Sequence, residues 1–321
     1  MNLRIKRRRF GQLIIASATS AAVTNLASKT VAQQPQLIIY GVRLASAKQT
    51  EQDLANVTPG IVIVPSDVGT DKEFENIVSP ASVVENIPTV TEIANKAIFT
   101  QPRERLTGCT TLLDGTIVIS SVASSKKGDI SRLLFVNDRS FKFKKGLKTS
   151  GHKKKNSTVE SLLATKDGRL LSVISHNGGL PPFDLVVIDP KTGKVTSGDK
   201  VALPELPPGQ RLSNLVQLAN GAIYATTLDR EGATNLVQLD LDNKSIITGR
   251  GKIIGVSPLS LSNKTLGSDL LDLAASPDGQ LFALADPNRK QTNSLFIVDP
   301  KTGEMKLLRK ISVDKITFAL S

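Results

Sequence analysis

Six residues before the Asp or Asn of four Asp-Gly or Asn-Gly pairs, the chain carries Gly108, Ser161, Asn214 and Asp272. Thr317, near the C-terminus, falls in the same register. The next position reads Cys109, Leu162, Leu215, Leu273 and Phe318, apolar throughout. A small or polar column beside an apolar one suits the lining of a wet channel. Hydroxyl, amide and carboxylate groups gathered at the mouth of that channel would bind a polar ligand. Glu160 stands one residue before Ser161, and His176 opens a His-Asn-Gly-Gly stretch from which an imidazole can serve as general base. Lys126-Lys127, Lys153 to Lys155 and Arg289-Lys290 fall in the connecting segments of the same end. They would give a positive rim to an anionic ligand such as a sugar acid, a cell-wall polymer or a lipid headgroup. The candidate ligand-binding residues are therefore Ser161, Asn214, Asp272, Thr317 and His176, and no residue is assigned a catalytic role.

The elements that must position these groups recur. Asp114-Gly115, Asp167-Gly168, Asn220-Gly221 and Asp278-Gly279 stand at steps of 53, 53 and 58 residues. Apolar runs ending in Asp or Asn follow each pair at 133–137, 185–189, 236–240 and 295–299. The pairs predict type I′ hairpins between a first and second strand. Two of the third strands end in the identical turn Asp-Pro-Lys-Thr-Gly, at 189–193 and 299–303, where Pro presets φ and Gly accepts a positive one. Lysine-bearing outer strands follow at 141–148, 194–203, 245–254 and 304–313, and charge on a sheet edge discourages foreign pairing. A repeat of this size with four short strands is the signature of a β-propeller. The fold class is all-β, a propeller of four-stranded antiparallel blades.

Residues 316–321 align with a first strand but lead into no turn. Strands at 36–44 and 60–65, with 89–99 as the outer one, are expected to complete that blade and latch the ring. Five blades result, or six if residues 36–105 hold more than one sheet. In such a blade the first and third connections lie at one end, here with short similar turns. The second and fourth lie at the other, here long and different at 120–131, 175–184, 228–235 and 285–293. That variable end is the candidate functional face.

Residues 1–32 read as a signal peptide of the twin-arginine type. Arg7 and Arg8 lie in a basic start, Phe10 follows, residues 13–23 form a mildly apolar core, and Thr30-Val31-Ala32 offers a cleavage site. Lys6 and Gly11 depart from the motif, so the general secretory route stays open. The apolar core is too short for a membrane span. A single propeller domain over 33–321, periplasmic or extracellular and monomeric, is expected.

The whole chain carries 41 basic and 29 acidic residues, a net charge of +12. Residues 1–32 hold six of the basic ones and no acid, so the remainder carries only +6. With no helix-turn-helix or zinc-finger pattern and few aromatics, nucleic acid is not an expected partner. The single cysteine, Cys109, excludes an intrachain disulfide and reads as a buried thiol in a first strand. Stability must come from a continuous core, which a chain of this length can build.

The Ser-Pro-Asp-Gly-Gln-Leu stretch at 276–281 and the Asp-Pro-Lys-Thr-Gly turns are similar to those of exported six-bladed propellers of the gluconolactonase and NHL-repeat kind. The resemblance covers residues 106–321 as architecture. It implies a divalent metal at the channel mouth, held by Glu, Asn and Asp from different inner strands. Glu160, Asn214 and Asp272 have those types at comparable places, with Glu160 one register off. Their hard oxygen donors suit Ca²⁺ or Mg²⁺, which would polarise a lactone carbonyl and activate water. Two functions therefore stand. One is a propeller that binds a small molecule, a cell-envelope polymer or a protein without chemistry or cofactor; the other is a metal-dependent, lactonase-like hydrolase.

Overall fold

The computed structural model describes residues 37–44, 61–68 and 104–318, except 126–127, 138–142, 153, 155, 197–200, 204–205, 242–250, 269, 288–292 and 312. The signal peptide expected over 1–32, the outer strand expected over 89–99, and Lys126, Lys127, Lys153, Lys155, Arg289 and Lys290 lie outside the described residues.

Strands β1 (Leu37–Leu44) and β2 (Ile61–Val68) come first. The first blade is β3 (Glu104–Thr111), β4 (Thr116–Ser125), β5 (Gly128–Asn137) and β6 (Phe143–Lys148). The second is β7 (Thr158–Ala164), β8 (Leu170–Asn177), β9 (Leu180–Ile188) and β10 (Val201–Ala202). The third is β11 (Arg211–Gln217), β12 (Ile223–Leu228), β13 (Thr234–Asp240) and β14 (Lys252–Pro258). A ribbon of β15 (Ser260–Leu261) and β16 (Lys264–Thr265) then leads to the fourth, β17 (Leu270–Ala275), β18 (Leu281–Ala285), β19 (Ser294–Val298) and β20 (Met305–Lys310). Last comes β21 (Lys315–Phe318). Each blade is antiparallel with its strands in chain order, and no helix occurs among the described residues.

The ring closes as the sequence predicts, since β1 pairs with β21 from Ile39↔Phe318 to Val42↔Lys315 and with β2 on its other side. The expectation of five four-stranded blades, or six, is corrected. Among the described residues four sheets are four-stranded blades, and the closing sheet has three strands in the order β2-β1-β21. The C-terminal segment supplies one of these and the N-terminal segment two.

The Asp-Gly and Asn-Gly turns are also corrected. Only their glycines have positive φ, from 77° at Gly115 to 95° at Gly279, whereas a type I′ turn needs two such residues. Each hairpin bonds residue i to i+4, as in Leu112 N–H to the Thr116 carbonyl at 2.8 Å, so the loop has three residues and ends on a left-handed Gly. The Asp or Asn caps the turn instead: Asp114 Oδ1 accepts from Thr116 N–H at 2.9 Å and Asn220 Oδ1 from Ala222 N–H at 3.0 Å. Two-residue turns with paired positive φ occur elsewhere, at Gly178-Gly179 and at Ser262-Asn263. The latter closes the ribbon of β15 and β16.

Apolar side chains fill the seams between sheets. Phe135 and Leu162 share a cluster across blades one and two, Leu185 and Leu215 across two and three, and Leu236 and Leu273 across three and four. Phe282 meets Ile39, Ile316 and Phe318 where blade four joins the closing sheet, its ring 4.9 Å from that of Phe318. The two Asp-Pro-Lys-Thr-Gly turns staple neighbouring blades. Ser150 N–H donates to the Gly193 carbonyl at 3.1 Å, and Ser260 N–H to that of Gly303 at 3.0 Å.

Candidate functional site

Inner strands β3, β7, β11, β17 and β21 are sheet edges, so their backbone groups need partners from the next strand around the ring. The polar column supplies them. Ser161 Oγ accepts from Leu215 N–H at 2.7 Å, and Asp272 Oδ2 accepts from Ile316 N–H at 2.9 Å. Thr317 Oγ1 lies 3.0 Å from Thr111 Oγ1, and Thr110 Oγ1 accepts from Ala164 N–H at 3.0 Å. Asn214 differs: its Nδ2 donates to Thr226 Oγ1 of its own blade at 3.0 Å. Gly108 marks the closest approach, since a Cβ there would lie 2.8 Å from the Leu162 nitrogen. Ser161, Asp272 and Thr317 of the column thus bond between neighbouring sheets.

A β-bulge recurs just before this column, at Leu106/Gly108, Val159/Ser161, Ser213/Val216 and Leu270/Asp272. A bulge re-aims the extra residue, which explains why Glu160 stands out of register. Asn214 lies within the third bulge at φ 55°, a left-handed conformation that Asn tolerates. Glu160 Oε1 accepts from Arg105 Nη2 at 2.7 Å and from Thr158 Oγ1 at 2.5 Å. It thus bridges the first and second blades. Asp272 sits on the opposite side of the ring, beside Lys315 Nζ at 3.5 Å. Both carboxylates of the expected metal set therefore face a cation of the chain. Among the described residues no cluster of three His, Cys, Asp or Glu side chains could hold a metal.

The densest polar grouping lies at the variable end of the seam between blades one and two. Two expected loops there, 120–131 and 175–184, are hairpin arms built by extension of β4–β5 and β8–β9. Strands β4 and β5 have 10 residues each, against 5 in β18 and β19. The second arm ends at Gly178-Gly179. A Cβ on Gly178 would lie 3.5 Å from Asp129 of the first arm, and one on Gly179 would lie 3.5 Å from both Arg105 and Glu160.

His176 is fixed within the second arm. Its Nε2 lies 2.7 Å from Asp184 Oδ2 and its Nδ1 lies 2.9 Å from Ser157 Oγ. An ionised carboxylate only accepts, so Nε2 carries a proton and, in the neutral ring, Nδ1 accepts from the Ser157 hydroxyl. These are the groups of a hydrolytic triad, but Ser157 is only 4% exposed. The neighbouring N–H groups are also spent: Gly178 donates to the Asn156 carbonyl at 3.3 Å and Gly179 to Ser175 Oγ at 2.9 Å. In this geometry Ser157 is closed off from a substrate, and these two N–H groups are not free to hold an oxyanion. The constellation stiffens the arm.

Two titratable groups near the same seam are shifted from their usual range. Burial holds the His152 imidazole below its usual range, with the nearby His176 adding to the effect, and its Nε2 lies 2.9 Å from Thr149 Oγ1. Burial raises the Glu104 carboxyl, against the lowering effects of Ser121 and Arg132, and its Oε2 has no partner. Asp272 is likewise raised by burial, opposed by Lys315. The Cys109 thiol, buried and near Asp272, is pushed well up, so it is inert as a nucleophile.

Sequence reasoning found Glu160 and His176 but missed Arg105, Ser157 and Asp184. Counting back along the hairpin from Gly168 sets Ser157 opposite His176, provided the bulge at Glu160 is allowed for.

No family model matches the chain, and no curated protein matches it in sequence. Among solved structures, a protein of unknown function from Bacteroides caccae is similar over 89% of this chain and 100% of its own, with 12% identity and a TM-score of 0.46. A protein of unknown function from Dyadobacter fermentans is similar over 80% and 74%, with 12% identity and a TM-score of 0.45. The Dos1 propeller is similar over 66% and 49%, with 11% identity and a TM-score of 0.36.

Proposed function

We propose that the protein is an exported β-propeller that binds an anionic ligand of the cell envelope across the arms of its first two blades, without chemistry or cofactor of its own. The observation that carries this reading is the construction of the seam. Two extended hairpins converge there, Gly178-Gly179 brings backbone to the rim, and Arg105 stays 48% exposed while anchored by Glu160. A guanidinium held by one carboxylate keeps further N–H donors for a second anion. Export through residues 1–32 would place this face in the periplasm or outside the cell, where anionic polymers and headgroups occur. His176, Ser157 and Asp184 support recognition by fixing the arm.

The reading is tested by co-sedimentation of the mature protein with purified anionic cell-wall polymer, with neutral polysaccharide as control. Binding to the anionic polymer that weakens with salt and falls several-fold in Arg105→Ala supports it. Equal binding to both polymers, or an unchanged Arg105→Ala variant, refutes it.

A further inference from the structure

The opposite end of the ring holds a cavity of about 120 Å³, lined by all five inner strands and by the turns that follow four of them. Its lining includes the apolar Leu215, Leu273 and Phe318. The mutually bonded hydroxyls of Thr111 and Thr317 also line it, as does Leu113, which is 61% exposed. Lys166 is the one ionisable lining side chain besides the buried Cys109. Its Nζ reaches the Ala219 carbonyl of the next blade, which holds the ammonium over the opening and leaves further N–H donors. The carboxylates of the surrounding turns have their own partners: Asp167 pairs with Arg169 at 2.7 Å, Asp278 accepts from Ser276, and Asp114 accepts from Thr116 N–H.

We propose that this turn-end mouth is a second binding site, for a small aliphatic monocarboxylate. The tail would lie on Leu215, Leu273 and Phe318 and the carboxylate would meet Lys166. The volume is that of about four waters at liquid density, room for a short aliphatic chain. Thr111 and Thr317 retain acceptor lone pairs, so an ordered water can join them to the bound headgroup. The site is independent of the variable face, on which Arg105 lies.

Titration calorimetry with hexanoate, hexanol and hexylamine, which share a tail and differ in charge, tests the proposal. Hexanoate binds most tightly and hexylamine least. Lys166→Met, an exposed substitution that spares the fold, weakens hexanoate up to about fivefold, the range of an exposed ion pair. Ala275→Phe, which fills the opening, abolishes binding of all three, while Arg105→Ala changes none. Hexanoate binding no better than hexylamine, or unaltered by both Lys166→Met and Ala275→Phe, overturns the proposal.

Discussion

Replacing Asp272 by Asn tests how the ring is held shut. Asp272 and Lys315 are 3% and 7% exposed, with Oδ1 and Nζ 3.5 Å apart. The substitution keeps a side-chain oxygen for Ile316 N–H but leaves the Lys315 ammonium buried, with the Leu271 carbonyl as its remaining partner. An uncompensated buried charge costs about 3–5 kcal/mol. Asp272→Ala also orphans the Ile316 N–H, adding about 1–3 kcal/mol. Lys315→Met is milder than Asp272→Asn, because burial already raises the Asp272 carboxyl and protonation relieves the charge left behind. The double variant Asp272→Asn/Lys315→Met has no stranded ion and returns to within about 2 kcal/mol of wild type. Urea unfolding of the four proteins forms a double-mutant cycle. Asp272→Asn within about 1 kcal/mol of wild type, or a double variant that costs the sum of the singles, refutes the reasoning.

Other expectations follow from single residues. Gly303→Ala costs at least twice what Gly221→Ala does in denaturant unfolding. Both have positive φ, worth about 1–2 kcal/mol of strain, but a Cβ at 303 overlaps the Pro258 carbonyl oxygen whereas one at 221 meets nothing within 4 Å. His152 is depressed in the folded state, so its stability contribution is present above its unfolded value of 6.5 and is lost as pH falls through the lower folded value. His152→Gln should lose less stability than wild type on acidification across that window, and an equal loss contradicts the assignment. A reporter fused to residues 1–35 should be exported, and Arg7→Lys with Arg8→Lys should stop it; continued export points to the general secretory route.

The blades were legible in the sequence because one Gly with positive φ per hairpin and an apolar run per third strand repeat at nearly constant steps. The turn type was not: Asp-Gly serves two-residue and three-residue loops alike, and pairing that depends on distant strands decides between them. The polar column was visible as a pattern, but its role depended on which backbone N–H each side chain meets across a seam. Glu160 looked out of register for want of the bulge, and Asp184 looked like a loop residue because the arm containing it reads as irregular sequence. Ring closure was readable from residues 316–321. The organisation of the rest of that sheet was less legible, since segments 36–44 and 60–65 lack the turn signals that organise the blades.

The most direct measurement is hydrogen exchange of the mature protein with and without the anionic polymer. The account predicts new protection in residues 120–131 and 175–184, centred on Gly178-Gly179, with the turns at Gly115, Gly168, Gly221 and Gly279 unchanged. Protection confined to those turns or to the outer strands, with the two arms exchanging as before, would contradict it.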